Sequence, residues 1–458
     1  MLNRRSFIKK AAGAAVGAIG FPYVVRSSAV GAAGTVLPSN RIVMGCIGMG
    51  GQGISDMREF LGAGQVQVVA VCDVDTKHRN NARDIVNRKY GSRDCAAYGD
   101  FRELLARDDI EAVMIAAPDH WHAIIGVMAA RAGKDVHAQK PLAYTIAEGR
   151  AICDAVKQYG VVWQTGSQQR SERNFRHACE LVRNGRIGEV RTVRVGLCYG
   201  NTVIRGYAGH PPNATVRQLT QPAAVPEGFD YEMWLGPAPK VPYSPGRCHG
   251  NFRWISDYSG GQITDWSGHH CDIAQWGMGT ELTSPVEIEG KGVWPRVEDG
   301  LYDTVESYRF VCRYAEGFSM IVSDAQQFPE GRDGVLFTKG WQWNMGVLFE
   351  GSEGWVHVNR GGISARPKSL LTSVIGPDEI HLYKSDDHKE NFLDCVRSRS
   401  QPIAPAEVGH RSIMIGHLGL IAIKMGRKLR WDPVDERFIN DSEADRLLSR
   451  PMRSPWHL

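Results

Sequence analysis

Residues 41–53 read RIVMGCIGMGGQG, and no other stretch limits the fold of this chain as tightly. An apolar run suited to a buried strand leads into Gly48, Gly50 and Gly53 in GxGxxG spacing, and a helix-compatible segment, 52–61, follows at once. Each glycine has a physical task. The first permits the tight turn, the second lets backbone N–H groups approach a pyrophosphate, and the third lets the helix pack closely on the strand. A second apolar run, 65–71, leads into Cys72 and Asp73, which sets a carboxylate 25 residues after Gly48, near the offset that suits ribose hydroxyls. The stretch therefore predicts a dinucleotide site built from Gly48, Met49, Gly50, Gly51, Gln52, Gly53 and Asp73. Asp73 favours NAD, because a carboxylate repels a 2′-phosphate; Lys77 and Arg79, close behind, leave NADP possible.

From 41 to 165 strand-like and helix-like segments alternate, which predicts βαβ units and a parallel sheet. Helices are expected at 76–90, 100–107, 123–132 and 146–159, and strands at 111–117, 134–138 and 161–165. Two polar clusters fall just past strand ends, Pro118 to His122 and Gln139 to Pro141. Open α/β sheets bind ligands there, so Pro118, His120, His122, Gln139 and Lys140 join the expected cofactor set. Beyond 165 a helix at 172–184 and a period-two strand at 189–199 precede a Pro- and Gly-rich excursion, 201–250. Strands then follow at 285–293, 303–314, 318–322, 335–337 and 355–358 without helices between them, the pattern of a largely antiparallel sheet, and helices close the chain at 391–399 and 407–427. The division expected is a leader, 1–36, a nucleotide-binding domain, 37–165, and a second domain, 166–458, with a helical tail.

The formal charge of +4 suggests a nucleic-acid partner only until its location is considered. No acidic residue precedes Asp56, whereas Arg4, Arg5, Lys9, Lys10 and Arg26 lie in the first 26 residues; without those five the balance is −1. The basic excess belongs to the leader, and no nucleic-acid partner is expected. NRRSFIKK followed by a modest Ala/Gly/Val run resembles a twin-arginine export signal, which implies a periplasmic destination. Nothing approaches the ~20 apolar residues of a membrane span, so no stable membrane insertion is expected. Ten cysteines without a CxxC pair predict buried thiols rather than a disulfide framework.

The chemistry is expected in 260–276, GGQITDWSGHHCDIAQW. On a helix, Asp265, His269, Asp272 and Trp276 share one face, and a face with two carboxylates and an imidazole suits a cleft wall better than a core. An Asp265–His269 hydrogen bond would orient the ring as a proton acceptor for a secondary alcohol, while Lys140, fixed by Pro141, would stabilise the developing oxygen charge. A capped, solvated helix face and a metal site are the alternatives, and no metal is expected. Gln168, Arg170, Tyr199, Arg253, Trp254 and His270 are polar or aromatic enough to line a sugar site.

The GxGxxG unit, the strand ending in Pro118 and closely followed by His122, the Lys140-Pro141 dipeptide and GG…DxxxHxxD occur in an order that resembles the Gfo/Idh/MocA oxidoreductase family. The resemblance implies a Rossmann domain joined to an α/β domain with a large open sheet, a homodimer or homotetramer, NAD or NADP, and a sugar, polyol or derivative as substrate. It makes Lys140 the catalytic lysine and Asp265 and His269 the acid/base pair. Gln139 departs from the family's usual Glu, and Asp119 stands where Asn is common. WLGPAP at 234–239, GHR at 409–411 and RPMRSPW at 450–456 resemble exported members and carry no assigned chemistry.

Export would starve an enzyme of fresh cofactor, so a tightly bound nucleotide is expected. The reaction is then a hydride exchange with a sugar hydroxyl. Its alternative is a redox-neutral glycoside hydrolysis through a transient ketone, as resemblance to the NAD-dependent N-acetylgalactosaminidases implies. A non-catalytic sugar-binding protein is the third reading.

Overall fold

A computed structural model describes residues 40–199, 219–295, 301–338 and 345–458. The leader, 1–36, and residues 201–218 of the predicted excursion lie outside the described residues. Ile42–Leu458 form one unit.

The first half alternates strand and helix as its pattern requires: β1 (Ile42–Ile47), α1 (Gly51–Gly62), β2 (Val66–Cys72), α2 (Thr76–Tyr90), β3 (Ala96–Tyr98), α3 (Phe101–Leu105), β4 (Ala112–Ile115), α4 (Asp119–Arg131), β5 (Asp135–Ala138), α5 (Ile146–Tyr159) and β6 (Trp163–Thr165). All six strands are parallel, in the order β3-β2-β1-β4-β5-β6. The order reverses direction between β1 and β4, and such a switch point opens a crevice at the carboxyl ends of the strands. Helix ends follow local chemistry. Asp75 caps α2 by accepting from the Lys77 N–H, Thr145 caps α5 from Glu148, and Gly91 and Gly160 end the same helices in the left-handed region. α4 begins four residues before the predicted 123, because Pro118 occupies its N-cap and starts the helix, so Asp119 to His122 form a first turn rather than a loop.

The second half adds α6 (Arg173–Arg183), β7 (Val190–Leu197), α7 (Tyr231–Leu235), α8 (Gln262–Met278), β8 (Glu287–Val293), β9 (Ser307–Arg313), β10 (Ser319–Asp324), a short β11 (Gly331–Arg332) and β12 (Val335–Leu336) hairpin, β13 (Gly346–Gly351), β14 (Trp355–Asn359), β15 (Gly362–Arg366), α9 (His388–Ser398), α10 (Ala406–Met425), β16 (Leu429–Asp432), β17 (Arg437–Phe438) and α11 (Ser442–Asp445). Nine of these strands form one sheet in the order β15-β14-β13-β7-β10-β9-β8-β16-β17, antiparallel except where β7 meets β10. On β9 buried and exposed residues alternate, Tyr308, Phe310 and Cys312 pointing to the core and Arg309 and Arg313 to solvent, so one face of the sheet is covered. α8 and α10 cover it, sharing a core with Phe310, Val347 and Phe349. Gly277 and Gly419 allow this approach: a Cβ on either would fall 2.5–2.6 Å from a phenylalanine ring.

GHR is part of this packing. Gly409 abuts Thr165, His410 pairs with Glu436 at 3.1 Å, and Arg411 bridges Glu407 and Glu436, two carboxylates that Arg150 of α5 also binds. All ten cysteines are buried and none is bridged to another. Among the described residues no helix is long and apolar enough to cross a membrane.

Candidate active site

A groove of about 1310 Å³, solvent at its mouth included, runs along the carboxyl ends of β1, β2, β4 and β5. The glycine turn forms one end of it. Gly48 has φ +82°, and a Cβ there would strike the Ala116 backbone at 2.7 Å; a Cβ on Gly53 would sit 1.8 Å from the Gly48 carbonyl. At Gly50 and Gly51 a Cβ would meet nothing within 4 Å, so the turn is open on the groove side alone. α1 starts there without a side-chain cap and with no acid in its first turn, which leaves its N-terminal N–H groups to an anion. Gln52, Asp73 and Pro118 also line the groove. Met49, expected there too, does not line it: its side chain is buried and its N–H donates to Asp73 Oδ2 at 2.6 Å, which fixes the carboxylate beside the turn. Arg79 is drawn to the Asp73 carbonyl at 2.8 Å, while Lys77 is exposed.

Where β5 ends, the Lys140 Nζ donates to Asp265 Oδ1 at 2.8 Å. α8 brings Asp265 there by laying Gly268 flat on the lysine stem, since a Cβ on Gly268 would stand 3.3 Å from that of Lys140. Arg253 approaches the same Asp265 oxygen at 3.5 Å and lines the groove. Burial alone would raise the Asp265 carboxyl, but Lys140 and Arg253 outweigh it and hold it below the usual carboxylate range. Asp119 lies nearby in the opposite condition. Burial, reinforced by Asp265, pushes its carboxyl up to about 7, and it accepts a hydrogen bond from Ser259 Oγ at 2.6 Å.

The expected Asp265–His269 hydrogen bond does not form, because Asp265 is held by Lys140 and Arg253. His269 instead sits one turn along α8 with its Nε2 3.3 Å from the Arg360 guanidinium, which also lies over the Trp266 ring. Burial, then Lys140 and Arg360, keep this imidazole neutral, well below its usual pKa. Since the guanidinium can only donate, Nε2 accepts and the ring proton is on Nδ1, a buried atom with no partner among the described residues.

Gln139 donates to Asp56 Oδ2 at 2.7 Å, and Lys389 Nζ donates to Asp56 Oδ1 at 3.0 Å. A buried carboxylate on α1 thus stands behind Gln139, and a glutamate in its place would face that carboxylate directly. Sequence reasoning missed Asp56 and Lys389, and with them Arg360, His78 and His249. Except for His78, which faces Asp73 five residues before it, their partners lie far away in the chain, and an acid on the helix after a glycine turn was a faint hint.

Other expected site residues have different surroundings. His120 is buried away from the groove, its Nε2 at the Trp234 carbonyl, and both His122 nitrogens face backbone carbonyls, of Pro141 and Ala117. Arg170 makes two bonds to Asp272, at 2.7 and 2.9 Å, and lies over Trp276. Trp254 belongs to an aromatic cluster with Phe252 and Tyr258, and His270 bonds the Gly196 carbonyl. These five were expected on ligand; each is instead a packed or paired group, because a buried polar side chain that finds a partner in the core stays there. Gln168 is exposed on a 3₁₀ turn and Tyr199 half-buried after β7.

Two family models match this chain and between them cover most of it. The NAD-binding Rossmann fold of the Gfo/Idh/MocA oxidoreductases matches 42–167, and the family's C-terminal alpha/beta domain matches 177–346 and 373–458. The chain belongs to the Gfo/Idh/MocA oxidoreductase family. The resemblance read from four short motifs is therefore correct at the level of family, and the groove belongs to an NAD-binding Rossmann fold.

Among curated relatives, a glycosyl hydrolase family 109 protein of Shewanella baltica (strain OS155 / ATCC BAA-1091) is 27% identical over 34% of this chain and 37% of its own length. Inositol 2-dehydrogenase of Salmonella paratyphi B is 28% identical over 42% and 53%. The chain thus spans between about a third and about a half of these two relatives. Among solved structures, the WlbA dehydrogenase of Bordetella pertussis, in complex with NADH and UDP-GlcNAcA, covers 86% of this chain and 99% of its own at TM-score 0.59 and 16% identity. The aldose-aldose oxidoreductase of Caulobacter crescentus reaches 0.58 at 16% identity, covering 85% and 99%. At such identities these likenesses show a shared fold.

Proposed function

We propose that this protein moves a hydride between a tightly bound nicotinamide dinucleotide and a secondary hydroxyl of a sugar, polyol or glycoside. The observation that carries the reading is the Lys140–Asp265 pair at 2.8 Å, at the end of a groove whose other end is the glycine turn. Gly50, Gly51 and the first turn of α1 would hold the pyrophosphate, and Asp73 the ribose. When bound, the nicotinamide supplies acceptance and return of a hydride.

The chain's own residues manage the proton and the orientation. Lys140 exchanges the hydroxyl proton through Nζ, and Asp265 aims that nitrogen. His269, kept neutral, offers its Nδ1–H to a substrate oxygen. Asp265 and His269 thereby act beside the lysine rather than as a hydrogen-bonded couple. Absorbance at 340 nm, followed on the protein as purified while candidate sugars are added, tests the reading. A change that Lys140→Met abolishes supports it; purified protein that neither contains nor takes up NAD or NADP overturns it.

The second reading is redox-neutral glycoside hydrolysis, in which the hydride returns after elimination and hydration. The family 109 relatives favour it, among them one from Shewanella sp. (strain ANA-3) that is 38% identical over 25% of this chain and 26% of its own length. Release of aglycone from an aryl glycoside without net NADH selects this reading; a stoichiometric keto-sugar selects the first.

The paired arginines Arg4 and Arg5 support export of the folded protein to the periplasm by the twin-arginine route, with cleavage among the small residues Ser28 to Ala33, a leader at 1–36 and domains at 37–165 and 166–458. Homodimer or homotetramer formation through the uncovered face of the nine-stranded sheet completes the proposal. Cell fractionation and light scattering test these two points.

A further inference from the structure

We propose that residues 450–456 act as a strap that clamps the outer wall of the groove, making the dinucleotide a resident group that exchanges only when the strap lifts. The inference rests on the reading of the groove as a dinucleotide site and adds what keeps the ligand there.

The inner wall of the groove is the row of strand ends. The outer wall comes from far along the chain, with Phe229, Met233, Trp234, His249 and Phe252. At the ribose end this wall is joined to the nucleotide-binding sheet by backbone bonds, Thr76 N–H to the Gly228 carbonyl at 2.9 Å and Asp230 N–H to that of Val74 at 3.0 Å. His249 stands 3.6 Å from the Asp75 carboxylate with its ring 4.8 Å from that of His78. Further along, the Trp121 indole donates to the Trp234 carbonyl at 2.9 Å, and Gly236 lies so close to that indole that a Cβ would fall 2.1 Å from it.

WLGPAP then needs help from outside. Pro237 and Pro239 carry no N–H, so this segment cannot form a ladder with a neighbour, and its carbonyls require donors. Arg453 is that donor. Its Nε gives to the carbonyls of Gly236 and Ala238, both at 3.0 Å, its own N–H gives to that of Pro237 at 2.9 Å, and its guanidinium pairs with Glu232. On either side the strap grips the first domain. Arg450 pairs with Glu148 of α5 at 2.6 Å and donates to the His120 carbonyl of α4 at 2.8 Å. Trp456 packs edge-on against Trp121, 4.7 Å between ring centroids, with Arg102 over it at 5.3 Å. The two motifs without assigned chemistry, WLGPAP and RPMRSPW, are the two halves of one contact. In this proposal the contact holds the wall down over a ligand beneath it and slows its escape.

The test is exchange of bound nucleotide, read independently of turnover. Full-length protein and Arg453→Ala are loaded with the fluorescent 1,N6-etheno analogue of NAD and chased with excess NAD. The wild type is expected to keep its nucleotide through desalting, and Arg453→Ala to release it at least about tenfold faster, equivalent to about 1.4 kcal/mol. Should Arg453→Ala not fold, Arg453→Lys and Trp456→Ala carry the same expectation at reduced size. Equal release rates in folded wild type and variants overturn the strap while leaving the dinucleotide site intact; a wild type that binds neither nucleotide overturns both.

Discussion

α8 carries two buried carboxylates seven residues apart, and each meets a cation from the nucleotide-binding half of the chain or its border. Asp272 is 1% exposed and saturated: Arg170 makes two bonds to it and Ser412 a third at 2.7 Å. Asp265 is 8% exposed, receives one bond from Lys140, and has Arg253 at 3.5 Å. A fork-shaped guanidinium closes the first pair, whereas a flexible ammonium at the groove leaves the second with hydrogen-bonding capacity to give to a ligand. The difference teaches that burial and charge alone do not mark a site; what marks it is a pair left incomplete beside an open space.

Substitutions can break or sharpen this contrast. The largest effect on stability is expected from Asp272→Asn, which leaves the Arg170 cation buried; a loss of about 3–5 kcal/mol in urea denaturation is expected, against a much smaller loss for Asp265→Asn. Activity should respond in reverse. Lys140→Met is expected to lower turnover by about 10²–10⁴ while the fold and the bound nucleotide persist, as turnover assays with circular dichroism would show.

Gln139→Glu comes next, since it sets a second carboxylate about where a 2.7 Å hydrogen bond now joins Gln139 to Asp56. One of the two would hold a proton in the native state, raising a folded pKa above the unfolded value near 4. The native state then binds more protons than the unfolded one above that pH, so stability should fall as pH rises above about 4, which urea denaturation at a series of pH values would show. Asp119→Asn should remove a pH dependence of the same sign. The wild-type carboxyl is raised from 3.8 to about 7, so its contribution favours the folded state most at low pH and declines as pH rises through 4 to 7. The melting temperature of the variant should decline less than that of the wild type over this window.

Much of the nucleotide half was legible in advance. The helices at 76–90 and 146–159 were expected with the bounds they have, because Asp75, Thr145, Gly91 and Gly160 signal their ends locally. The expected face of α8 is helical, yet it is divided between two environments, and nothing in its spacing says that Asp265 turns to a groove while Asp272 turns to a core. Strands β13 and β15 were missed, being short and flanked by glycines, and β16 and β17 were hidden after a long helix. His120, Arg170 and His270 show the converse, each with a protein partner at hand, since a polar residue near a strand end looks the same in sequence whether it meets ligand or a buried partner.

The amino-acid sequence by itself determined the glycine turn, the parallel order that follows from alternating strand and helix, the lysine at a strand tip and the helix that would face it. Backbone conformation and hydrophobic period act over a few residues, so they can be read there. Only the tertiary structure decided that Lys140 pairs with Asp265 across 125 positions, that Lys389 reaches Asp56 across 333, and that Arg453 caps carbonyls of a segment more than 200 residues earlier. Such pairings depend on how whole layers pack, and a charged side chain carries no local mark of the partner that packing will bring to it.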